Sequence, residues 1–249
     1  MAKHARGYGI HSTFVYGLIR GVLMESGRNT SYYSWIRTMQ KALYGNKKAL
    51  LTDSRGSGSK SLKVRSKTAG KLAKTSGLPQ KYIRLLINLT HYLKVQQVLE
   101  LGTCCGLTSA CIAKGNKNLF VHTIEGNEER YQLALGMFSK WRVENVVAEH
   151  DDFARAIARF RQSGERFDMV FIDGDHDFDP TMKYFEQSLK ILNSGGIIVV
   201  DDIYWSPSMN RAWQAIQAHA ATTITIDLYR LGLVFIGRQQ AKQHFRVRF

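Results

Sequence analysis

Cysteine, proline and acidic residues are all scarce in this chain, and no long apolar run is present. Among 249 residues there are three cysteines and three prolines. Cys104, Cys105 and Cys111 are close together, odd in number and without CxxC spacing. That excludes a disulfide framework or a zinc-ribbon pattern and fits reduced thiols in a cytoplasmic protein. No apolar stretch approaches the ~20 residues that span a bilayer. The segment Ile10–Met24 is interrupted by His11, Ser12, Gly17, Arg20 and Gly21, and no small-residue cleavage site follows it, so a secretory signal is not expected. A basic transit peptide is less easily excluded, because the first stretch is almost free of acids.

The shortage of acids is local. The net charge is +15. Residues 1–80 hold 15 Lys/Arg against Glu25 and Asp53, which is +13; the remaining 20 Lys/Arg face 18 acids, which is +2. The basic character therefore belongs to the N-terminal part. It points to an anionic partner, either acidic lipid at the inner membrane surface or RNA, or to nothing more than a solvated basic face.

Helical spacing after Ser12 (Val15, Leu18, Val22) predicts a capped helix, and a second is expected over about Tyr32–Leu51. The run Ser54–Ser59 then reads as a flexible loop, and Lys60–Lys74 as a basic stretch, helical or mobile. A further helix is expected over Tyr82–Leu93. From Val95 onward strand and helix signals alternate, with apolar runs at Val95–Leu101, Leu119–Ile124, Val146–Ala148, Phe167–Ile172 and Gly196–Val200. Such alternation implies a parallel sheet covered on both faces. Asp179-Pro180 and Ser206-Pro207 read as helix starts. The runs Thr223–Tyr229 and Leu231–Gly237 meet at Arg230, too close for a helical crossover, so they should pair antiparallel. The expected fold is α/β: a Rossmann-like, doubly wound, seven-stranded sheet with an antiparallel last strand. Residues 1–93 form a basic helical extension or lid, and residues 94–249 the main domain.

In such sheets ligands bind beyond the carboxyl ends of the strands, at the topological switch point. The first main strand ends in Glu100-Leu101-Gly102-Thr103-Cys104-Cys105-Gly106, and Leu107-Thr108-Ser109 open a helix. Two glycines permit a tight turn, and the helix N-terminus favours a carboxylate. This suits the methionine end of S-adenosylmethionine. A nicotinamide cofactor is the rival, but the GxGxxG pattern is absent. At the end of the next strand, Glu125 followed by Gly126 can accept both ribose hydroxyls, or can be an exposed acid or cap. Asp152, before Phe153, can bond an adenine amino group, or can equally well cap a helix.

Two further strand ends carry acids: Asp173-Gly174-Asp175-His176 and Asp201-Asp202. Adjacent strands would bring Asp173, Asp201 and Asp202 to one mouth, where they repel unless protonated or neutralised by a cation. Oxygen ligands of this kind suit Mg²⁺ or another divalent ion, which would activate and orient a substrate hydroxyl. His176 is then the candidate general base, with Asp173 beside it. Plain strand-end hydrogen bonding is the alternative for the acids.

Taken together these residues resemble the small class I O-methyltransferases, which include the catechol and caffeoyl-CoA enzymes. The likeness spans about 95–238 and rests on Glu100-Leu101-Gly102-x-x-x-Gly106-x-Thr108, Thr123-Ile124-Glu125 and Phe171-Ile172-Asp173. Asp201-Asp202 stands where that family usually has Asp-Asn. Ile172-Asp173-Gly174-Asp175-His176 with Asp201-Asp202 is also similar to metal-dependent sugar O-methyltransferases of antibiotic biosynthesis. Gly9-Ile10-His11-Ser12-x-Phe14 and Asp202-Ile203-Tyr204-Trp205-Ser206 resemble uncharacterised methyltransferases common in Bacteroidetes. The resemblance implies S-adenosylmethionine held by Glu100, Gly102, Thr103, Gly106, Thr108, Glu125, Gly126, Asp152 and Asp173. It also implies N-terminal helices over the active site, with His11, Tyr204 and Trp205 as candidate acceptor-pocket residues. The expected activity is metal-assisted O-methylation of a hydroxyl on a small molecule, sugar or lipid headgroup. The alternative is an RNA methyltransferase using the basic segment, although neither an Asn-Pro-Pro-Tyr motif nor a Pro-Cys pair is present. The oligomeric state does not follow from the pattern.

Overall fold

The computed structural model describes residues 3–4, 12–24, 33–50, 67–237 and 241–248. The Ser54–Ser59 loop, the start of the Lys60–Lys74 stretch and His11 lie outside them. Strand β1 is Lys3–His4. Helix α1, Thr13–Leu18, continues as one π-helical stretch, Ile19–Leu23. Ser12 caps it as expected, its hydroxyl accepting from Val15 N at 3.3 Å. Helix α2 (Ser34–Tyr44) ends at Gly45, short of the Leu51 expected, and the chain instead makes a two-residue strand, β2, at Ala49–Leu50. That strand pairs antiparallel with β3, Lys67–Thr68. Helices α3 (Ala69–Ser76) and α4 (Gln80–Tyr92) lead into the main sheet.

There β4 (Gln97–Leu101), β5 (Phe120–Glu125), β6 (Val146–His150), β7 (Phe167–Ile172) and β8 (Leu192–Val200) alternate with helices. These are α5 (Leu107–Gly115), α6 (Glu128–Lys140), α7 (Phe153–Ser163), α8 (Phe178–Ser188) and α9 (Pro207–Ala218). Strands β9 (Thr222–Asp227), β10 (Gly232–Ile236) and β11 (Gln243–Val247) close the chain. The sheet order is β1-β11-β9-β10-β8-β7-β4-β5-β6. Strand β10 runs antiparallel to both β8 and β9, and the other pairs are parallel. The seven expected strands are therefore present, including the antiparallel last one, and β11 and β1 extend the sheet beyond β9. Strand β11 follows Gly237 closely and carries only two buried apolar residues, Phe245 and Val247, which is too little alternation to stand out.

The central parallel strands β4, β5, β7 and β8 are buried on both faces along most of their length. Val98, Val121, Met169, Phe171, Ile197 and Val199 join one core with α1–α6, while Leu99, Leu101, Ile124, Val170, Ile172, Ile198 and Val200 join the other with α7–α9. The period of two divides each strand between them. The helices before residue 93 belong to the first core: Val15, Leu18, Ile36, Met39, Ile83, Leu86 and Leu89 are all inaccessible. Ser206 caps α9 ahead of Pro207 as expected, but α8 is capped by Asp177, leaving Asp179-Pro180 inside its first turn. On α6 the buried residues are Leu133, Ala134, Met137 and Phe138, and Leu135 faces outward. Among the described residues no helix is long and apolar enough to cross a membrane.

Candidate active site

The switch point lies between β4 and β7, from which the chain winds to opposite sides of the sheet. A Cβ on Gly102 would stand 2.1 Å from the Asp173 carbonyl oxygen, and φ at Gly102 is +115°, so only glycine fits where the two strand ends converge. The turn continues through Cys104, also at positive φ, to Gly106 (φ +74°), which begins α5 without a side-chain cap. The first N–H groups of α5 are thus left for a ligand, and an anion is what they and the helix dipole favour. Gly106 has a packing reason as well: a Cβ there would press to 3.0 Å on Ala134 and Phe138.

Beneath the turn Glu100 is fully buried and faces α5. One oxygen, Oε2, accepts from the Ser109 hydroxyl and from Thr123 Oγ1 (2.5 Å), while Oε1 has no partner. Burial pushes its carboxyl up to about 7, against the two hydroxyls and with help from the Glu125 charge. Thr103 is buried in the same network, Oγ1 lying 2.6 Å from Thr123 Oγ1. Thr108, in the first turn of α5, is buried too. At the end of β5, Glu125 accepts from Cys104 N (2.8 Å) and Asn127 N (2.9 Å). Its carboxylate ties the glycine turn to the next strand and keeps lone pairs for ribose hydroxyls. Burial raises its pKa, opposed by the Asn127 N–H, Arg130 and the Cys104 N–H.

Asp152 is exposed and caps α7, accepting from Arg155 N at 3.0 Å, so the capping alternative describes its bonds here. The ring of Phe153 lies against Gly174, where a Cβ would come within 2.5 Å of it, and meets Tyr184 edge to face. Gly126 is exposed, its carbonyl 3.2 Å from His150 Nε2.

The structure brings Asp173, His176, Asp201 and Asp202 together at the ends of β7 and β8. His176 Nε2 stands 3.8 Å from Asp173 Oδ1 and 3.9 Å from Asp202 Oδ2. Asp173 is pushed well up, by burial first and then by the charges of Asp201 and Glu100. Asp202, at φ +53°, is raised by burial and Asp201, with Arg230 and His176 pulling the other way.

The structure gives these carboxylates a cationic partner from the chain itself. Both oxygens of Asp201, which is inaccessible to solvent, take hydrogen bonds from Arg230: Nε and Nη2, each at 3.0 Å. The same Nε is 3.4 Å from Asp202 Oδ1. A bidentate guanidinium thus competes for the oxygens that a divalent ion would use, and among the described residues no group of three His, Cys, Asp or Glu is arranged to hold one. Sequence reasoning left Arg230 as a joint between two strands; its signal was a lone cation in an otherwise apolar hairpin. Of the suggested pocket residues, Tyr204 donates to Asp227 Oδ2 (2.5 Å), Arg246 bonds to both, and Trp205 stands exposed beside them.

Residues 99–203 match the family model described as a methyltransferase domain. The Dictyostelium discoideum protein named "Probable caffeoyl-CoA O-methyltransferase 2" is 29% identical over 127 residues, 49% of this chain and 52% of that protein. An uncharacterised protein of Acanthamoeba polyphaga mimivirus is 43% identical over 128 residues, 50% and 52% of the two chains. The chain thus spans about half the length of the curated relatives it matches. A Bacillus cereus O-methyltransferase solved with SAH superposes with a TM-score of 0.57 at 18% identity, covering 65% of this chain and 83% of that one. The Streptomyces achromogenes O-methyltransferase TomG, solved with SAM, gives 0.57 at 20% identity and 66% and 82% coverage. Residues 99–203 are thus similar to a methyltransferase domain, and the chain shares its Rossmann-like α/β fold with these O-methyltransferases.

Proposed function

We propose that the protein methylates a hydroxyl of a small-molecule acceptor using S-adenosylmethionine, with His176 as general base. One observation carries this reading: the uncapped start of α5, Glu125 and the Asp173–His176–Asp202 cluster converge on a single switch point. The buried, partnerless Glu100 Oε1 fits a ligand ammonium, and the α5 N-terminus fits its carboxylate. Gly102, Thr103, Gly106 and Thr108 shape the turn, Glu125 and Gly126 border the ribose, and Asp152 with Phe153 the base. When bound, S-adenosylmethionine would supply a sulfonium methyl, the acceptor oxygen's electron pair forming the O–C bond as the S–C bond breaks and S-adenosylhomocysteine leaves. His176 Nε2 takes the hydroxyl proton as that oxygen loses it, and Asp202 stabilises the resulting imidazolium. Tyr204 and Trp205 border the acceptor, and the described helices before residue 93 cover that side of the sheet: Tyr82 on α4 donates to Leu228 O (3.1 Å) in the hairpin that bears Arg230. The basic segment 1–80 engages an anionic surface in a cytoplasmic setting, acidic lipid before RNA.

Calorimetry tests the reading. S-adenosylhomocysteine should bind, and Glu125→Ala should weaken it by roughly tenfold or more, the value of one good pair of hydrogen bonds. His176→Ala should keep that affinity while kcat on an acceptor falls about 10²–10⁴-fold. An intact, folded protein that ignores S-adenosylhomocysteine would overturn the proposal.

A further inference from the structure

The three-aspartate mouth already holds a cation, and it is part of the chain. Arg230 reaches it from the turn between β9 and β10, and the turn is fixed from several sides. Arg230 N donates to Leu228 O (2.9 Å), Ile203 N donates to Arg230 O (3.1 Å), and Tyr229 N donates to Asp227 Oδ1 (2.9 Å). Tyr82 OH holds Leu228 O from the opposite element. The guanidinium is three-quarters buried, so its pairing with Asp201 is neither a surface contact nor a swinging one. Burial alone would lower the pKa of Arg230; the bond to Asp201 and the charges of Asp201, Asp202 and Asp173 outweigh it and raise it.

We propose that Arg230 is the resident cation of this site. It stands where carboxylates of this arrangement would otherwise gather a divalent metal, so that methyl transfer needs none. Two of the five guanidinium N–H groups are spent on Asp201; those remaining orient the acceptor oxygen beside His176. A divalent ion in addition would face a guanidinium at 3.4 Å or less from oxygens of Asp201 and Asp202, a like-charge contact.

This inference rests on the methyltransferase reading for its chemistry, but its test stands apart from activity. Mn²⁺ would be titrated into the full chain, with free ion followed by electron paramagnetic resonance, with and without S-adenosylhomocysteine. The wild type should take up no stoichiometric Mn²⁺ at sub-millimolar concentrations. Exhaustive chelation should leave its affinity for S-adenosylhomocysteine unchanged. Arg230→Met frees the carboxylates and should tighten Mn²⁺ at least tenfold, while Arg230→Lys, which keeps a cation, should remain metal-free. One tightly held Mn²⁺ per wild-type chain, lost in Asp201→Asn, would overturn the proposal; so would a folded Arg230→Met that gains no Mn²⁺. Should Arg230→Met fail to fold, the wild-type titration still decides. Loss of S-adenosylhomocysteine binding in the untreated wild type would sink the parent reading alone, since the Mn²⁺ result does not depend on it.

Discussion

Glu100 shows how a single side chain can serve a cradle and cost the empty protein stability. Its carboxyl sits near 7 in the fold against 4.5 in the open chain, because burial disfavours the charge more than Ser109 and Thr123 stabilise it. A group raised in this way stabilises fully below its unfolded pKa, and the contribution is lost as pH rises through the folded value. Between about pH 4.5 and 7 this amounts to about 3 kcal/mol. Thermal melts of the ligand-free protein should therefore fall between pH 5 and 8, and Glu100→Gln should flatten part of that slope. Asp173 is raised in the same direction and accounts for slope that remains. A melting temperature that rises over this range would contradict the assignment. At this scale the sequence was informative about identity and poor about pairing. Glu100, Glu125 and Asp173 were legible because strand ends and glycine turns carry local signals. That Asp201 would be taken by Arg230, 29 residues away, was not, since no local pattern encodes which cation a buried carboxylate meets.

Among the elements, the decisive contact joins the ends of β4 and β7. Gly102 is there because β7 returns beside β4 closely enough to leave no volume for a methyl group. Gly102→Ala should cost at least about 2 kcal/mol, lower Tm by roughly 4–8 °C, and weaken S-adenosylhomocysteine binding as the turn shifts. Gly136 provides the contrast: it is exposed in the middle of α6, and a methyl group added there would meet nothing within 4 Å. Gly136→Ala should therefore stabilise by about 0.5–1 kcal/mol. If paired melts of the two variants fell alike, the steric account of the turn would fail. The parallel sheet covered by helices could be anticipated because apolar strand runs alternating with helical segments demand crossover helices. The short pieces could not: β1, β2 and β3 have two residues each, below the length at which alternation can be seen.

On the scale of the whole molecule, charge and chemistry are segregated. The +13 segment precedes a nearly balanced remainder, so any anionic partner should be held by residues 1–80. Flotation with vesicles containing phosphatidylserine should show association at low salt that fades near physiological ionic strength and above, with no change in S-adenosylhomocysteine affinity. Binding to RNA in a filter assay, stronger than to vesicles and steeply salt-dependent, would instead favour the RNA alternative. This charge pattern was plain from composition.

The pairing of Lys3 with Arg246 and His4 with Val247 has a consequence for the order of assembly. The short β1 strand has no partner until β11, Gln243–Val247, has been synthesised, whereas the β4–β8 unit can pair from its own local crossovers. During translation the basic leading stretch must therefore wait, its backbone satisfied by water, while the sheet grows from its middle toward that edge. The last hydrogen bonds to form join the two extremes of the described chain, and they will be the first to exchange when the edge opens.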